Sequence, residues 1–411
     1  MRIALIHDFL IRHGGAERVL QALCEIFPEA PIFTLLYDEK KMGKFFPKEK
    51  IKTSFLQKFP KFLRNHYKYL LPLLPLAPET MDLRDFDLVV SSSSSFAKGI
   101  VPRVNTLHIC YCHNPMRFVW DYSHSYLKDQ KKSFFNPFMK TVLHFLRIWD
   151  RNAAQRVDYF IANSRATQKR IWKYYRREST VIYPPVLGQS ERAQKVTFGE
   201  RSSHPSEARL RSGDPACSSA FGGNHARKQC LTSPKATFPR PGEEYFLIVS
   251  QLTPYKKIDM AVAAFNKLKL PLVIIGEGPE RKKLEKMAKE NIKFLGWQPD
   301  EIVWQYYQNC IAFIFPGEDD FGIVPVEAMG FGKPVLSLRR GGALETVVEA
   351  VTGEFFDEPD PAVLADGVRR LRENLKNYDS EKIKEHAQKF NKERFVNEIK
   401  NFVKNKVASH P

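Results

Sequence analysis

Residues 315–334 read FPGEDDFGIVPVEAMGFGKP: an apolar strand end, a loop of carboxylates, then Gly322 and a short helix carrying Glu327. A strand that opens into a helix N-terminus presents free backbone N–H groups and a positive dipole end, which suits a diphosphate. Gly322 lets the backbone come close to a ligand. The carboxylates make poor phosphate ligands. As acceptor-only groups they suit the hydroxyls of a sugar or a ribose. The stretch therefore reads as a site for a nucleotide-activated sugar rather than for a nucleotide alone.

The same strand, loop and helix order recurs on both sides of it. Ile3 to His7 forms a strand candidate, Gly14 and Gly15 follow in a loop, and Val19, Leu20, Leu23 and Ile26 keep a helical period. Further strand candidates are 32–36, 88–90, 106–110, 159–162 and 181–183, and a second series runs 245–249, 272–275, 292–295, 312–315 and 335–338. Strands alternating with helical stretches predict two parallel sheets covered by helices, an α/β class of two Rossmann-like domains. Residues 1–186 form the first and 243–388 the second. Residues 187–242, rich in Ser, Pro, Gly, Arg and Lys, read as a disordered basic insertion or linker, with a basic arm for lipid or nucleic acid as the alternative. Residues 389–411 carry a final amphipathic helix.

A length of 411 residues exceeds what one core usually fills, which favours two domains. No apolar run is long enough to cross a bilayer. The start, MRIALIHDFL, is interrupted by His7 and Asp8 and reads as a buried strand rather than an export signal. Six cysteines without a CxxC pair or a disulfide framework suit a cytoplasmic protein. Cys110, Cys112 and His113 lack further ligands nearby, so buried thiols are expected there, and no metal site.

A net charge of +18 points to an anionic partner, among which charge alone does not choose. Residues 48–76, KEKIKTSFLQKFPKFLRNHYKYLLPLLPL, interleave Lys and Arg with Phe, Tyr and Leu. They read either as an interfacial segment on an anionic membrane or as a helix pair facing the core. The first reading makes the protein peripheral on the inner face of the cell membrane. No helix-turn-helix, zinc or RNA-recognition pattern accompanies the charge, so no nucleic-acid partner is expected. His113, ahead of Asn114-Pro115, sits at a strand end where α/β sheets bind ligands. Lys256, after a strand end and Pro254, supplies a point charge suited to a diphosphate.

Several strings stand in one order with the opening stretch: HDFLIRHGGAERVLQAL, YCHNPMRFVWD, FIANSRATQKRI, VIYPPV, SQLTPYKKIDMAVAAF, GEGPERKKLEKMA, FLGW and GGALETVVEAVTG. Together they resemble the retaining glycosyltransferases of family 4, which have the GT-B fold of two Rossmann-like domains facing a cleft. The wording DFGIVPVEAMGFGKPV is similar to that of GDP-mannose-dependent mannosyltransferases of surface polysaccharide synthesis.

The resemblance implies an N-terminal acceptor-binding domain, a C-terminal donor-binding domain and a last helix that crosses back to the first. It implies catalytic roles for His113, Lys256, Asp319 and Glu327. Donor contacts are implied for Gly14, Gly15, Gln251, Lys257, Gly296, Trp297, Glu318, Phe321, Gly322, Ile323, Val324, Gly342 and Glu345. Arg117 and Trp120 belong to the acceptor side. Two positions depart from the pattern: Gln251 stands where relatives usually have Arg, and Asp319 is the shorter counterpart of their first Glu, with Glu318 beside it. The implied reaction moves a hexose, mannose first, from a nucleoside diphosphate sugar to a hydroxyl of a lipid-linked or glycan acceptor, with no metal or other cofactor. A nucleotide-sugar epimerase or a noncatalytic scaffold of the same fold are the alternatives.

Overall fold

The computed structural model describes residues 1–123, 136–186 and 244–410. Its two sheets are parallel throughout. The first contains β1 (Ile3–Leu10), β2 (Ile32–Tyr37), β3 (Ile51–Thr53), β4 (Leu88–Ser93), β5 (Leu107–Cys112), β6 (Tyr159–Ala162) and β7 (Ser179–Val181). The second contains β8 (Phe246–Val249), β9 (Leu272–Ile275), β10 (Ile292–Gly296), β11 (Ala312–Phe315), β12 (Val335–Leu338) and β13 (Gly353–Phe356). Runs such as LVII in β9 and AFIF in β11 are buried along their whole length, as expected of strands covered on both faces.

The strand orders are β3-β2-β1-β4-β5-β6-β7 and β10-β9-β8-β11-β12-β13. In each sheet the winding reverses at its first strand, between β1 and β4 and between β8 and β11. Ligands of such sheets bind at the carboxyl ends of the strands beside the reversal. The Gly14-Gly15 loop lies beyond β1, the Lys256 loop follows β8 and the acidic loop follows β11.

Five of the eleven expected strands run one to three residues past their expected ends, and β7, expected at 181–183, lies at Ser179–Val181. β3 and β13 escaped the pattern because they are short and carry charge, Lys52 in one and Glu354 in the other. Residues 48–76 are not a helix pair. Pro47, Pro60, Pro72 and Pro75 break them into β3 and the short turns Phe55–Lys58, Lys61–Asn65 and Tyr67–Leu70. Leu56, Leu70, Leu71 and Leu74 enter the core, while Phe62 is 65% and Tyr69 71% exposed, with His66 between them, tilted against Phe62 and stacked on Tyr69. The expected insertion at 187–242 lies outside the described residues.

The last helix, Lys392–Ala408, starts at Asn391, whose side chain accepts from the Arg394 N–H at 2.8 Å. Phe395, Ile399 and Val403 pack on Val19, Leu20 and Leu23, so the C-terminal end of the chain completes the core of the first lobe. That core also encloses an ion pair. Lys98 donates to Asp150, and Asp150 also accepts from Trp120 Nε1 at 2.7 Å and Tyr175 Oη at 2.8 Å. Burial works against the Lys98 ammonium, but the charge and hydrogen bond of Asp150 outweigh it and raise its pKa.

Candidate functional site

In the second lobe the turn Pro254–Lys256 and the loop 316–322 are pressed together. A Cβ at Gly317 would lie 2.8 Å from the Lys256 Cα, so glycine is what allows the approach. Lys256 Nζ then donates to Asp319 Oδ1 at 2.5 Å. Burial opposes the Lys256 charge, but Asp319 first and Tyr255 next raise its pKa on balance. Gly322 takes φ +82, the left-handed region that favours glycine, where the loop turns into the helix Ile323–Met329. At Gly342 a Cβ would lie 2.3 Å from the Phe321 Cα. Gly342, for which a donor contact is implied, makes room for the backbone of the acidic loop, whose Asp319 carbonyl accepts its N–H at 2.8 Å.

The remaining carboxylates meet cations of the first lobe. Glu327, buried on its short helix, accepts from Arg18 Nη1 and from Tyr307 Oη at 3.3 Å. Arg18 Nη2 also donates to Asp300 at 3.2 Å. Burial opposes the Arg18 charge, yet Glu327 and Asp300 together raise its pKa. Arg170 bonds to Asp320 and, at 3.1 Å, to Glu318. Asp320 also accepts from Asn114 Nδ2 at 2.7 Å, with Arg117 3.9 Å away. Burial raises the Asp320 pKa more than Arg117 and Arg170 lower it. Glu345 accepts from the backbone N–H groups of Arg165 and Ala166, at 2.8 and 3.0 Å, and so caps the helix Arg165–Tyr175 from the opposite lobe. Gly15 touches Ile323 closely enough that its Cβ would lie 2.8 Å from Cδ1. The two lobes are thus joined face to face across their carboxyl-end loops.

The other expected residues fall in several places. His113 follows β5, and its Nε2 lies 2.8 Å from Ser92 Oγ. Burial, then the neighbouring His7, push its pKa down to about 4, so the ring is neutral near pH 7. Trp120 donates to Asp150 and stacks on Tyr174 at 4.7 Å within its own lobe. Gln251 lies just beyond β8, and Lys257 precedes the helix Ile258–Leu268. Gly296 ends β10 at φ +72, with Trp297 after it 66% exposed. Phe321 packs on Tyr183 and Phe390, and Ile323 and Val324 line the second core. Among the described residues no cluster of three His, Cys, Asp or Glu could hold a metal ion. Cys110 and Cys112 are buried free thiols.

Arg18, Arg170 and Asp300 were not singled out from the sequence, though two of them stand inside quoted strings. Arg18 is three residues past Gly15 in GGAER, and Arg170 lies six residues beyond the N-cap Ser164, in the second turn of its helix, in NSRATQKR. A cation so placed, at the start of a helix that leaves a strand end, was the available signal.

Residues 13–186 match the model of Glycosyltransferase Family 4, and residues 232–394 match that of Glycosyl transferases group 1. An uncharacterized glycosyltransferase of Methanocaldococcus jannaschii is 29% identical over 157 residues, 36% of this chain and 45% of its own length. O-antigen chain mannosyltransferase C of Escherichia coli is 27% identical over 141 residues, 32% of this chain and 38% of its own. A GDP-mannose-dependent alpha-mannosyltransferase of Corynebacterium glutamicum is 28% identical over 137 residues, 33% of each chain. The matches therefore span less than half the length of these relatives. Among solved structures, Anabaena Alr3699/HepE in complex with UDP superposes with a TM-score of 0.62 at 17% identity, covering 98% of this chain and 100% of that one. WaaG, a glycosyltransferase involved in lipopolysaccharide biosynthesis, gives 0.56 at 16%, covering 96% and 94%. At such identities the likeness shows the fold. With one family model on each lobe and the fold of both sheets shared, the chain belongs to the glycosyltransferases of the GT-B fold.

Proposed function

We propose that this protein transfers a hexose, with mannose the favoured sugar, from a nucleoside diphosphate sugar to a hydroxyl of a lipid-linked or polysaccharide acceptor, with retention at the anomeric carbon. The observation that carries the reading is the meeting of Lys256 and Asp319, from the loops after β8 and β11, on the face where Arg18 of the first lobe reaches Glu327 and Gly15 approaches Ile323. Mannose is supported by the names of the Escherichia coli and Corynebacterium relatives.

In this reading the diphosphate draws Lys256 away from Asp319, and the freed carboxylate accepts from hydroxyls of the sugar. Glu327 exchanges its Arg18 partner for the ribose hydroxyls. The acceptor oxygen attacks the anomeric carbon from the face that the leaving group departs. The bond from that carbon to the diphosphate oxygen breaks with its electron pair, and the same oxygen takes the acceptor proton. Lys256 stabilises the charge that builds there, so no step needs a metal ion.

A panel of GDP- and UDP-sugars with membrane extract as acceptor tests this. GDP-mannose consumption that is abolished in Glu327→Ala is expected. Consumption of UDP-sugars alone overturns the choice of mannose. Interconversion of the sugar without acceptor overturns transfer in favour of epimerisation.

A lipid-linked acceptor is supported by the exposed stack Phe62, His66 and Tyr69 among Lys58, Lys61 and Arg64. Among the described residues no helix is long and apolar enough to cross a membrane, so the proposed contact is peripheral. Partitioning onto anionic vesicles, read by flotation, is expected to fall about thirtyfold in Phe62→Ala/Tyr69→Ala, each aromatic contributing about 1 kcal/mol at the interface. Unchanged flotation would refute this patch.

A further inference from the structure

Four polar side chains of the first lobe form a line that the reaction above leaves without a role. Glu17 Oε1 lies 3.4 Å from His7 Nε2, His7 Nδ1 lies 3.1 Å from Ser92 Oγ, and Ser92 Oγ lies 2.8 Å from His113 Nε2. Glu17, His7 and Ser92 are buried and come from the helix Gly15–Ile26, β1 and β4. His113 follows β5, so the line runs behind the cleft across the strands beside the reversal. The other carboxylate near His7 does not compete for it. Asp8 is filled by the N–H groups of Ser94, Ser95, Phe96 and Ala97 and by the Ser94 hydroxyl, all at 2.6–3.0 Å.

The donor and acceptor rules give the line a direction. An ionised carboxylate only accepts, so His7 Nε2 carries the hydrogen that faces Glu17. Burial raises the Glu17 pKa, but hydrogen bonding, to His7 first, lowers it on balance, which keeps the carboxylate ionised. A neutral imidazole has one N–H, so His7 Nδ1 accepts from the Ser92 hydroxyl. With its proton used there, Ser92 Oγ accepts from His113 Nε2. The lone pair of His113 is then on Nδ1.

We propose that Glu17, His7 and Ser92 are positioning residues that hold His113 as the neutral Nε2–H tautomer, leaving its Nδ1 to accept a hydrogen bond from a hydroxyl of the bound sugar. The tautomer follows from the line alone, whereas the hydroxyl rests on the reading of the cleft as a nucleotide-sugar site. Glycosyl transfer has no other need for a carboxylate and a second imidazole buried behind the first. Their common effect is to remove one of the two ways the His113 ring can be protonated.

The test uses the full chain labelled with 15N-histidine, observed by long-range 15N–1H NMR at about pH 8, where imidazoles of ordinary pKa are neutral. The signal lost in His113→Gln identifies the residue, and it is expected to show the Nε2–H pattern. Glu17→Gln is nearly isosteric, and its amide can donate as well as accept. It lets the line run either way, so His113 is expected to show both tautomers. Ser92→Ala cuts the line and is expected to do the same. In both variants affinity for GDP-mannose by calorimetry is expected to fall about twofold, because only the Nε2–H half of the population can accept the hydroxyl. A wild-type Nδ1–H pattern, or a tautomer unchanged in both variants, overturns the proposal. Mixed tautomers with unchanged affinity overturn the sugar contact. A wild type that binds neither GDP-mannose nor UDP-glucose while the tautomers shift as expected assigns the failure to the reading of the cleft.

Discussion

Replacing Lys256 by alanine is expected to lower kcat for sugar transfer by roughly 10²–10³-fold, the usual effect of removing one donor aimed at a developing anion. The size follows from what surrounds the leaving group. Gln251 lies beyond the end of β8 and offers only neutral hydrogen bonds. Lys257 is exposed and sits at φ 54 at the start of the next helix. Lys256 is the cation that Gly317 allows to sit directly against the acidic loop. Lys256→Arg keeps the charge but not its position, and is expected to recover part of the rate. Steady-state kinetics with a saturating donor reads the effect. A fall of less than tenfold in the alanine variant would move charge stabilisation to another group.

Lys98→Met is expected to destabilise the first lobe by about 3–5 kcal/mol, because it leaves the Asp150 carboxylate buried without its cation. Trp120 and Tyr175 would still donate to Asp150, but two neutral donors do not replace the charge. For a lobe of this size the loss corresponds to a melting temperature lower by roughly 10 °C. Adding Asp150→Asn is expected to restore part of it, since a buried amide is less costly than a buried charge. Calorimetric scans of the single and double variants read both numbers. A single-variant shift under about 2 °C would mean that Asp150 is already neutral. The pair also bears on the cleft: Asp150 fixes Trp120, which closes the turn that carries Arg117.

The parts of this architecture that were legible in the sequence are those whose signal is local. LVII, AFIF and VLSL announce buried strands because every residue in them must lose water. Gly322 and Glu327 could be placed at a strand end because a turn, a glycine and a helix start follow one another within eight residues. β3 and β13 were illegible because three or four residues carrying a charge do not set up a pattern. The cross-cleft pairs were illegible for a different reason. Arg18 and Glu327 are 309 positions apart, and Arg170 and Asp320 are 150 apart, so neither member shows its partner in the surrounding sequence. Gly342 illustrates the same limit: its neighbour is a backbone segment one loop away, and only the packed structure distinguishes that from an approaching ligand.

Whether the cleft moves an activated sugar through the charge of Lys256, as proposed, is read from the product. GDP-mannose, in which the sugar is α-linked, is incubated with the protein and membrane extract in the presence of EDTA, and the anomeric configuration of the product is read by NMR. The expected result is an α-linked mannosyl product that is made without free divalent metal and is lost in Lys256→Ala. A β-linked product, or transfer that persists in Lys256→Ala at the wild-type rate, would contradict it.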